Sequence, residues 1–274
     1  MTAAFTGEDH RLMAHALRLA ERGLYTTDPN PRVGCVLVRD GRQVGEGWHR
    51  KAGEPHAERL ALAQAGARAG GATAYVTMEP CSHHGRTPPC ADALIEAGVT
   101  RVVVAMRDPN PLVAGQGLAR LGEAGIDVRV GLLEADAAAL NRGFVQRMQH
   151  GRPYVRCKLA MSLDGRTAMA SGESQWITGE DARRDVQLLR ARSSAILTGV
   201  ATVLADDPSL NVRLPVQALF GVEREDSLRQ PLRVVLDTRL RTVPRARMLG
   251  LPGDTLIIFG DGAPKETESE LRSS

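Results

Sequence analysis

Four side chains near the start of the sequence have the types and order of a metal-assisted hydrolytic site: His56 and Glu58 in "HAE", and Cys81 and Cys90 in "PCSHHGRTPPC". Imidazole and thiolate donors suit zinc. One His and two Cys fill three corners of tetrahedral zinc and leave the fourth open, which marks a catalytic site rather than a closed structural one. Zinc makes a water molecule nucleophilic near neutral pH. A glutamate two residues from the ligating histidine then serves as the proton carrier and is not needed as a ligand. Other readings of the cysteines are core filling, a disulfide, or a structural metal knot closed by His83 or His84.

The neighbouring elements decide whether these residues can meet. Leu12, Met13, Ala16, Leu17 and Ala20 share one helical face, with Gly23 as a stop. "VGCVLVRDGRQVGEGW" reads as two strands joined at Asp40-Gly41. "PHAERLALAQAGA" reads as a helix with Pro55 in its first turn. "GATAYVTM" reads as a strand, and "TPPCADALIEAG" as a helix with Thr87 as N-cap. "RVVVAM", "GLARLGEAG" and "IDVRVG" continue the alternation of strand and helix, which argues for a mostly parallel sheet covered by helices. His56 and Cys90 then sit in first turns of helices and Cys81 just past a strand. Such positions converge outside the carboxyl ends of a sheet, where helix dipoles favour thiolates.

A joint between domains is expected near Gly151-Arg152-Pro153, giving domains 1–150 and 151–274. Beyond it, "YVRCKLAM" reads as a strand and "SLDGRTAMASGESQW" as a polar loop. "TGEDARRDVQLLRARS" reads as a helix with Thr178 and Asp181 as a capping box. "SAILTG", "RVVLD" and "TLIIFG" read as short buried strands, and the polar tail as disordered. Cys35 and Cys157 read as core. Asn30, between two prolines in "PNPRVG", is equally a turn residue or a hydrogen-bonding group for a substrate.

The bulk numbers exclude several classes. Hydrophobic residues make up 43% and charged residues 24%, a globular balance. A net charge of +3 with a pI near 8.8 is too weak to argue for nucleic acid but suits a phosphorylated small molecule. Aromatic residues, at 3%, are too few for a base-stacking groove. No secretory signal and no apolar run of about 20 residues is visible, so a cytoplasmic protein with reduced thiols and no membrane partner is expected.

His-x-Glu followed by Pro-Cys is the signature of zinc deaminases, which normally continue Cys-x-x-Cys. Here eight residues separate the cysteines. At "HAE…EPCSHHGRTPPC" the sequence resembles the bifunctional riboflavin-biosynthesis deaminase/reductase family. The likeness runs through "NPRVGCV", "DPNP", "NRGF", "KLAMSLDGRTAMASGESQWITG" and "ATVLADDPSLNVR". It implies an α/β chain, with a three-layer cytidine-deaminase-like α/β/α domain followed by a dihydrofolate-reductase-like α/β domain.

The resemblance further implies Zn2+ on His56, Cys81 and Cys90 with Glu58 as proton donor, removing the 2-amino group of 2,5-diamino-6-(5-phosphoribosylamino)pyrimidin-4(3H)-one. NADPH-dependent reduction of the ribosyl chain to ribityl would follow. By the same likeness Ala160, Trp176, Thr202, Asp206 and Thr238 match NADP-contacting positions. Ser174, Arg190, Leu210 and Arg213 match substrate-contacting ones, and Arg190 and Arg213 suit a ribose phosphate. A homodimer or tetramer is implied. The glycine-rich segment that cradles cofactor phosphates in that family is not in this sequence, which ends at Ser274. A reductase sheet with exposed edges and apolar surface is therefore expected. The alternative, a deaminase-only enzyme acting on another nucleobase or nucleoside, predicts the short cysteine spacing.

Overall fold

Thr6 opens the first helix, α1 (Gly7–Glu21), with a capping box: its hydroxyl accepts from the Asp9 N–H, and the Asp9 carboxylate accepts from the Thr6 N–H. Leu12, Met13, Ala16, Leu17 and Ala20 are all buried on one face. The computed structural model describes residues 4–82, 89–111, 113–220 and 228–273. The chain divides into two compact units, Met1–Arg156 and Cys157–Ser274.

In the first unit α1 is followed by β1 (Gly34–Arg39), β2 (Arg42–Trp48), α2 (Ala57–Ala65), β3 (Thr73–Met78), α3 (Cys90–Glu96), β4 (Arg101–Met106), α4 (Gln116–Glu123), β5 (Asp127–Val130), α5 (Glu134–Leu140) and α6 (Arg142–His150). The strands form one sheet in the order β2-β1-β3-β4-β5. The β1–β2 and β1–β3 pairs are antiparallel, and β3–β4 and β4–β5 are parallel. Asp40 and Gly41, both at positive φ, make the β1–β2 turn. One face of the sheet packs Cys35, Leu37, Val76 and Val104 against α2, α3 and α4. The other packs Val36, Tyr75 and Val103 against α1 and α5. Strands buried on both faces explain the continuous apolar runs in β3 and β4.

Asp9 ties the layers together. Its carboxylate accepts from the Tyr75 hydroxyl at 2.8 Å and from Arg101 Nη1 at 3.1 Å, joining α1 to β3 and β4. Burial alone would raise the Asp9 carboxyl. The Thr6 N–H, the Tyr75 and Thr6 hydroxyls and the Arg101 guanidinium outweigh it and hold the carboxyl well below the usual carboxylate range. A depressed carboxyl stabilises the fold fully above its unfolded value, about 4, and loses that contribution as pH falls through and below 4. Asp9→Asn is expected to cost about 1–3 kcal/mol at pH 7. The gap between wild type and variant should narrow in urea titrations run at falling pH; a gap independent of pH would refute the assignment.

The second unit contains α7 (Glu180–Ala191), β6 (Ala195–Gly199), α8 (Val200–Asp206), α9 (Val216–Phe220), β7 (Leu232–Leu236), β8 (Thr255–Ile258) and α10 (Lys265–Arg272). Its strands form a parallel sheet in the order β6-β7-β8. Ile196, Val235 and Ile257 pack on one face with Val200, Val203 and Met248. Leu197, Leu236, Leu256 and Ile258 on the other remain 46–63% exposed. Only β7 is therefore buried, whereas β6 and β8 alternate between half-buried and exposed.

Several expectations are corrected. Residues 154–161 carry an apolar pattern but form no strand, and Val155, Leu159 and Met161 are exposed. A strand needs a neighbouring ladder as well as a pattern. Cys157 in that segment is exposed rather than core. The polar tail is helical, because it is rich in good helix formers and carries a Glu268–Arg272 pair one turn apart. Gly179, not Thr178, occupies the cap of α7, with no side-chain cap bond. Pro55 precedes α2 instead of entering it, because His56 takes the cap position. Thr87 lies outside the described residues, and α3 begins at Cys90 after Pro89.

Candidate metal centre

His56 caps α2 in an extended conformation (φ −71°, ψ 163°), which swings its ring off the helix axis. Cys81 follows β3 by three residues, and Cys90 opens α3. The chain folds back on itself here: the Ala91 N–H donates to the Cys81 carbonyl at 3.1 Å, and the Cys90 N–H donates to Cys81 Sγ at 3.3 Å. His56 Nδ1 lies 3.7 Å from Cys81 Sγ and 3.3 Å from Cys90 Sγ. The ligand atoms of these three residues all lie within 4.8 Å of one another, and among the described residues no further His, Cys, Asp or Glu joins them. Tetrahedral zinc holds a nitrogen and a sulfur about 3.5 Å apart, from bonds of about 2.05 and 2.3 Å, so the donor set fits that ion. His83 and His84 lie outside the described residues.

The electrostatics of the cluster agree with that fit. The Cys90 thiol, the His56 ring and the Cys90 N–H together outweigh burial and draw Cys81 down to about 4. Cys90 is pushed far up by sharing its proton with Cys81, with burial and Glu58 adding to the effect. A divalent cation bound here would displace the thiol protons. Glu58 is 3% exposed. Burial pushes its carboxyl above the ordinary range, opposed by His56. Its Oε2 is buried and has no hydrogen-bond partner among the described residues.

The placement of α2 depends on small residues. Gly45 and Gly47 of β2 face it. A Cβ at Gly47 would lie 2.5 Å from the Ala57 carbonyl oxygen, and one at Gly45 would run into the Ala61 carbonyl. Backbone therefore packs directly on backbone beneath the first turn of α2.

Asn30 comes to the rim of the site. Its Nδ2 lies 3.1 Å from His49 Nε2, and the His49 ring packs edge-on against His56 at 5.3 Å between centroids. His49 Nδ1 faces the Pro55 carbonyl at 3.3 Å, so it carries the proton and leaves Nε2 to accept from Asn30. Asn141, fully buried, fixes the loop that carries Asn30: its Oδ1 accepts from the Arg32 N–H at 2.8 Å, and its Nδ2 donates to the Arg32 carbonyl at 3.1 Å. Neither His49 nor Asn141 stands out in the sequence, because their partners lie 19 and 109 residues away.

In the second unit, Thr202 and Asp206 lie exposed on α8, directly after β6, and Thr238 lies exposed beyond β7. Thr202 and Thr238 are near the carboxyl ends of parallel strands, where α/β sheets bind ligands, and Asp206 ends α8. Trp176 is 71% exposed, with the Arg183 guanidinium 4.5 Å from its ring. Ala160 is half-buried, Ser174 exposed and Leu210 buried. Arg190 donates to the Asn211 carbonyl at 3.1 Å, and Arg213 Nη1 to Asn211 Oδ1 at 3.4 Å. Burial, then the adjacent Arg213 charge, lowers the Arg190 pKa. Two guanidiniums meeting around one asparagine suit an anion such as phosphate.

A three-layered α/β/α sheet with one histidine, two cysteines and a buried glutamate at its helix and strand ends defines a zinc-dependent deaminase domain. Residues 6–106 match the profile of the cytidine and deoxycytidylate deaminase zinc-binding region, and residues 153–273 that of the RibD C-terminal domain. The riboflavin biosynthesis protein RibD of Escherichia coli is 62% identical over 253 residues, covering 90% of this chain and 68% of its own. That of Haemophilus influenzae is 60% identical over 246 residues, covering 89% and 66%. Acinetobacter baumannii RibD superposes with a TM-score of 0.88 at 54% identity, over 96% of this chain and 72% of that one. A deaminase/5-amino-6-(5-phosphoribosylamino)uracil reductase of Thermotoga maritima gives 0.84 at 38% identity, over 97% and 77%. The chain belongs to the RibD family, and it spans about two thirds of the length of its curated relatives. Among the described residues no helix is long and apolar enough to cross a membrane.

Proposed function

We propose that the first unit hydrolyses the 2-amino group of 2,5-diamino-6-(5-phosphoribosylamino)pyrimidin-4(3H)-one, giving 5-amino-6-(5-phosphoribosylamino)uracil and ammonia. We propose equally that the second unit reduces the ribosyl chain of that product with NADPH. One observation carries the deaminase reading: Nδ1 of His56 stands 3.3 and 3.7 Å from two cysteine sulfurs, beside a buried, unpartnered Glu58 oxygen.

Zinc bound to His56, Cys81 and Cys90 supplies Lewis acidity that lowers the pKa of water to about 7. Glu58 takes a proton from the attacking water and delivers it to a ring nitrogen. It then takes the second proton from the hydroxyl added to the ring carbon and delivers it to the amine as the carbon–nitrogen bond breaks and the carbonyl forms, so that one water is consumed and one ammonia released. Burial raises the carboxyl, which favours its serving as both acceptor and donor of a proton. Asn30, half-buried and braced by His49, would hydrogen-bond the pyrimidine. A site built around such a hydrogen bond discriminates strongly against rings lacking the partner atom.

NADPH bound to the second unit supplies a hydride. Trp176, Thr202, Asp206 and Thr238 would hold the cofactor, with Ala160 beside them. Arg190 and Arg213 would grip the ribose phosphate, with Ser174 and Leu210 lining the same site. Support comes from the exposed indole and hydroxyls near the carboxyl strand ends and from the paired guanidiniums.

Supplied with zinc and the diaminopyrimidine, the chain should release one ammonia per substrate without NADPH, and should oxidise NADPH only once the deaminated product has formed. Ammonia release that requires NADPH, or that occurs with cytidine but not with the diaminopyrimidine, would overturn this reading.

A further inference from the structure

Glu79, in "EPC", is buried at 5% exposure, and among the described residues its carboxylate accepts from four backbone N–H groups. Oε2 accepts from Asp108 at 3.2 Å and Gly115 at 3.0 Å. Oε1 accepts from Gly117 at 2.9 Å and Leu118 at 3.4 Å. These donors bracket the loop that leaves β4 and enters α4. The register Met78↔Met106 brings residues 79–81 and 107–110 out of the sheet side by side. The Glu79 N–H donates to the Met106 carbonyl at 3.0 Å, completing the tie.

Gly117 makes the same contact from the other side. A Cβ there would run into the Pro80 carbonyl, one residue before Cys81. The start of α4 can therefore rest on the Glu79-Pro80 backbone only while position 117 is glycine. Gly115, at φ 84° in the left-handed region, turns the loop into the helix. A carboxylate aimed at the first N–H groups of a helix is favoured by the helix dipole as well as by its hydrogen bonds.

We propose that Glu79 is a positioning residue for substrate: it fastens Asp108 and the entry to α4 at Gly115–Leu118 to the strand end bearing Cys81, so that this side of the pyrimidine site and a metal ligand move as one body. The proposal rests on the deaminase reading for its substrate but not for the tie itself. The loop emerges from the carboxyl end of β4, next to the end of β3, where sites on such sheets form. A shift of this side of the site by about 1 Å would misplace the ring relative to the metal and Glu58, and misplacement of that size is enough to weaken productive binding.

The test uses the full zinc-loaded chain with Glu79→Gln, which keeps the shape but turns an amide NH2 toward two N–H donors. The amides of Asp108, Gly115, Gly117 and Leu118 should exchange with deuterium about 10- to 100-fold faster, while those of α2 and Ala91 keep their protection. Zinc content should stay at one per chain, and KM for the diaminopyrimidine should rise about tenfold with kcat changed less than about threefold. Gly117→Ala should reproduce both signatures and takes over if Glu79→Gln does not fold. Unchanged exchange at the four amides, unchanged KM, or equal loss of protection across α2 would each overturn the proposal. Absence of ammonia release from the wild type would sink the deaminase reading alone, since the exchange pattern is read without substrate.

Discussion

Glu58→Gln is expected to take up one zinc per chain and to release ammonia about 10²- to 10⁴-fold more slowly than the wild type. Glutamine has the volume of glutamate, so the buried first turn of α2, packed on Gly47, should not move. Nδ1 and both sulfurs stay in place, so the metal should stay too. Only the capacity to accept and return a proton is lost. Burial raises this carboxyl, and its Oε2 has no hydrogen-bond partner among the described residues, which suits it to meet a reacting group. Single-turnover ammonia release together with metal analysis checks the prediction. Loss of zinc along with activity would make Glu58 a ligand, and an unchanged rate would place proton transfer elsewhere.

Cys90→Ala should act on the metal itself. Closed four-ligand zinc sites in zinc-finger peptides are worth about 10–16 kcal/mol, so a single thiolate ligand accounts for a factor of about 10²–10³ in affinity. Dialysed Cys90→Ala is expected to contain little zinc, to release no ammonia above background and to unfold at lower temperature, with no stabilisation on adding zinc. Cys35→Ala provides the contrast. Cys35 is just as buried, but it packs against α2 and α3 inside the core. Its loss should cost packing energy and leave zinc content at one per chain. Equal zinc loss in both variants would mean that the cysteines act through the core.

Much of the first unit was legible because its signals are local and agree with one another. The apolar face of α1, the Asp40-Gly41 turn and the unbroken runs of β3 and β4 each specify one element without reference to distant residues. His56, Glu58, Cys81 and Cys90 were legible through residue type and order, since few chemistries need that combination. His49, Glu79 and Asn141 were not. Each acts through backbone groups or rings that the fold brings from elsewhere, and each looks in isolation like an ordinary polar residue.

The second unit is less legible for a related reason. The pattern in 154–161 is that of a strand, but pattern supplies no ladder partner. The polarity of the tail suggests disorder, whereas helix propensity and a Glu268–Arg272 pair decide its conformation. Gly179 displaced Thr178 at the cap of α7, a competition between neighbours that composition does not resolve.

The seating of α2 on β2 bears on how the reacting groups keep their aim. Most catalytic side chains are steadied by what touches them. Here steadiness comes from side chains that are missing: with hydrogen alone at 45 and 47, the helix bearing the imidazole and the carboxyl lies against the strand's own spine and has no softer layer on which to rock. A lone methyl group on the far side of that helix, touching neither ion nor substrate, would tilt both groups at once.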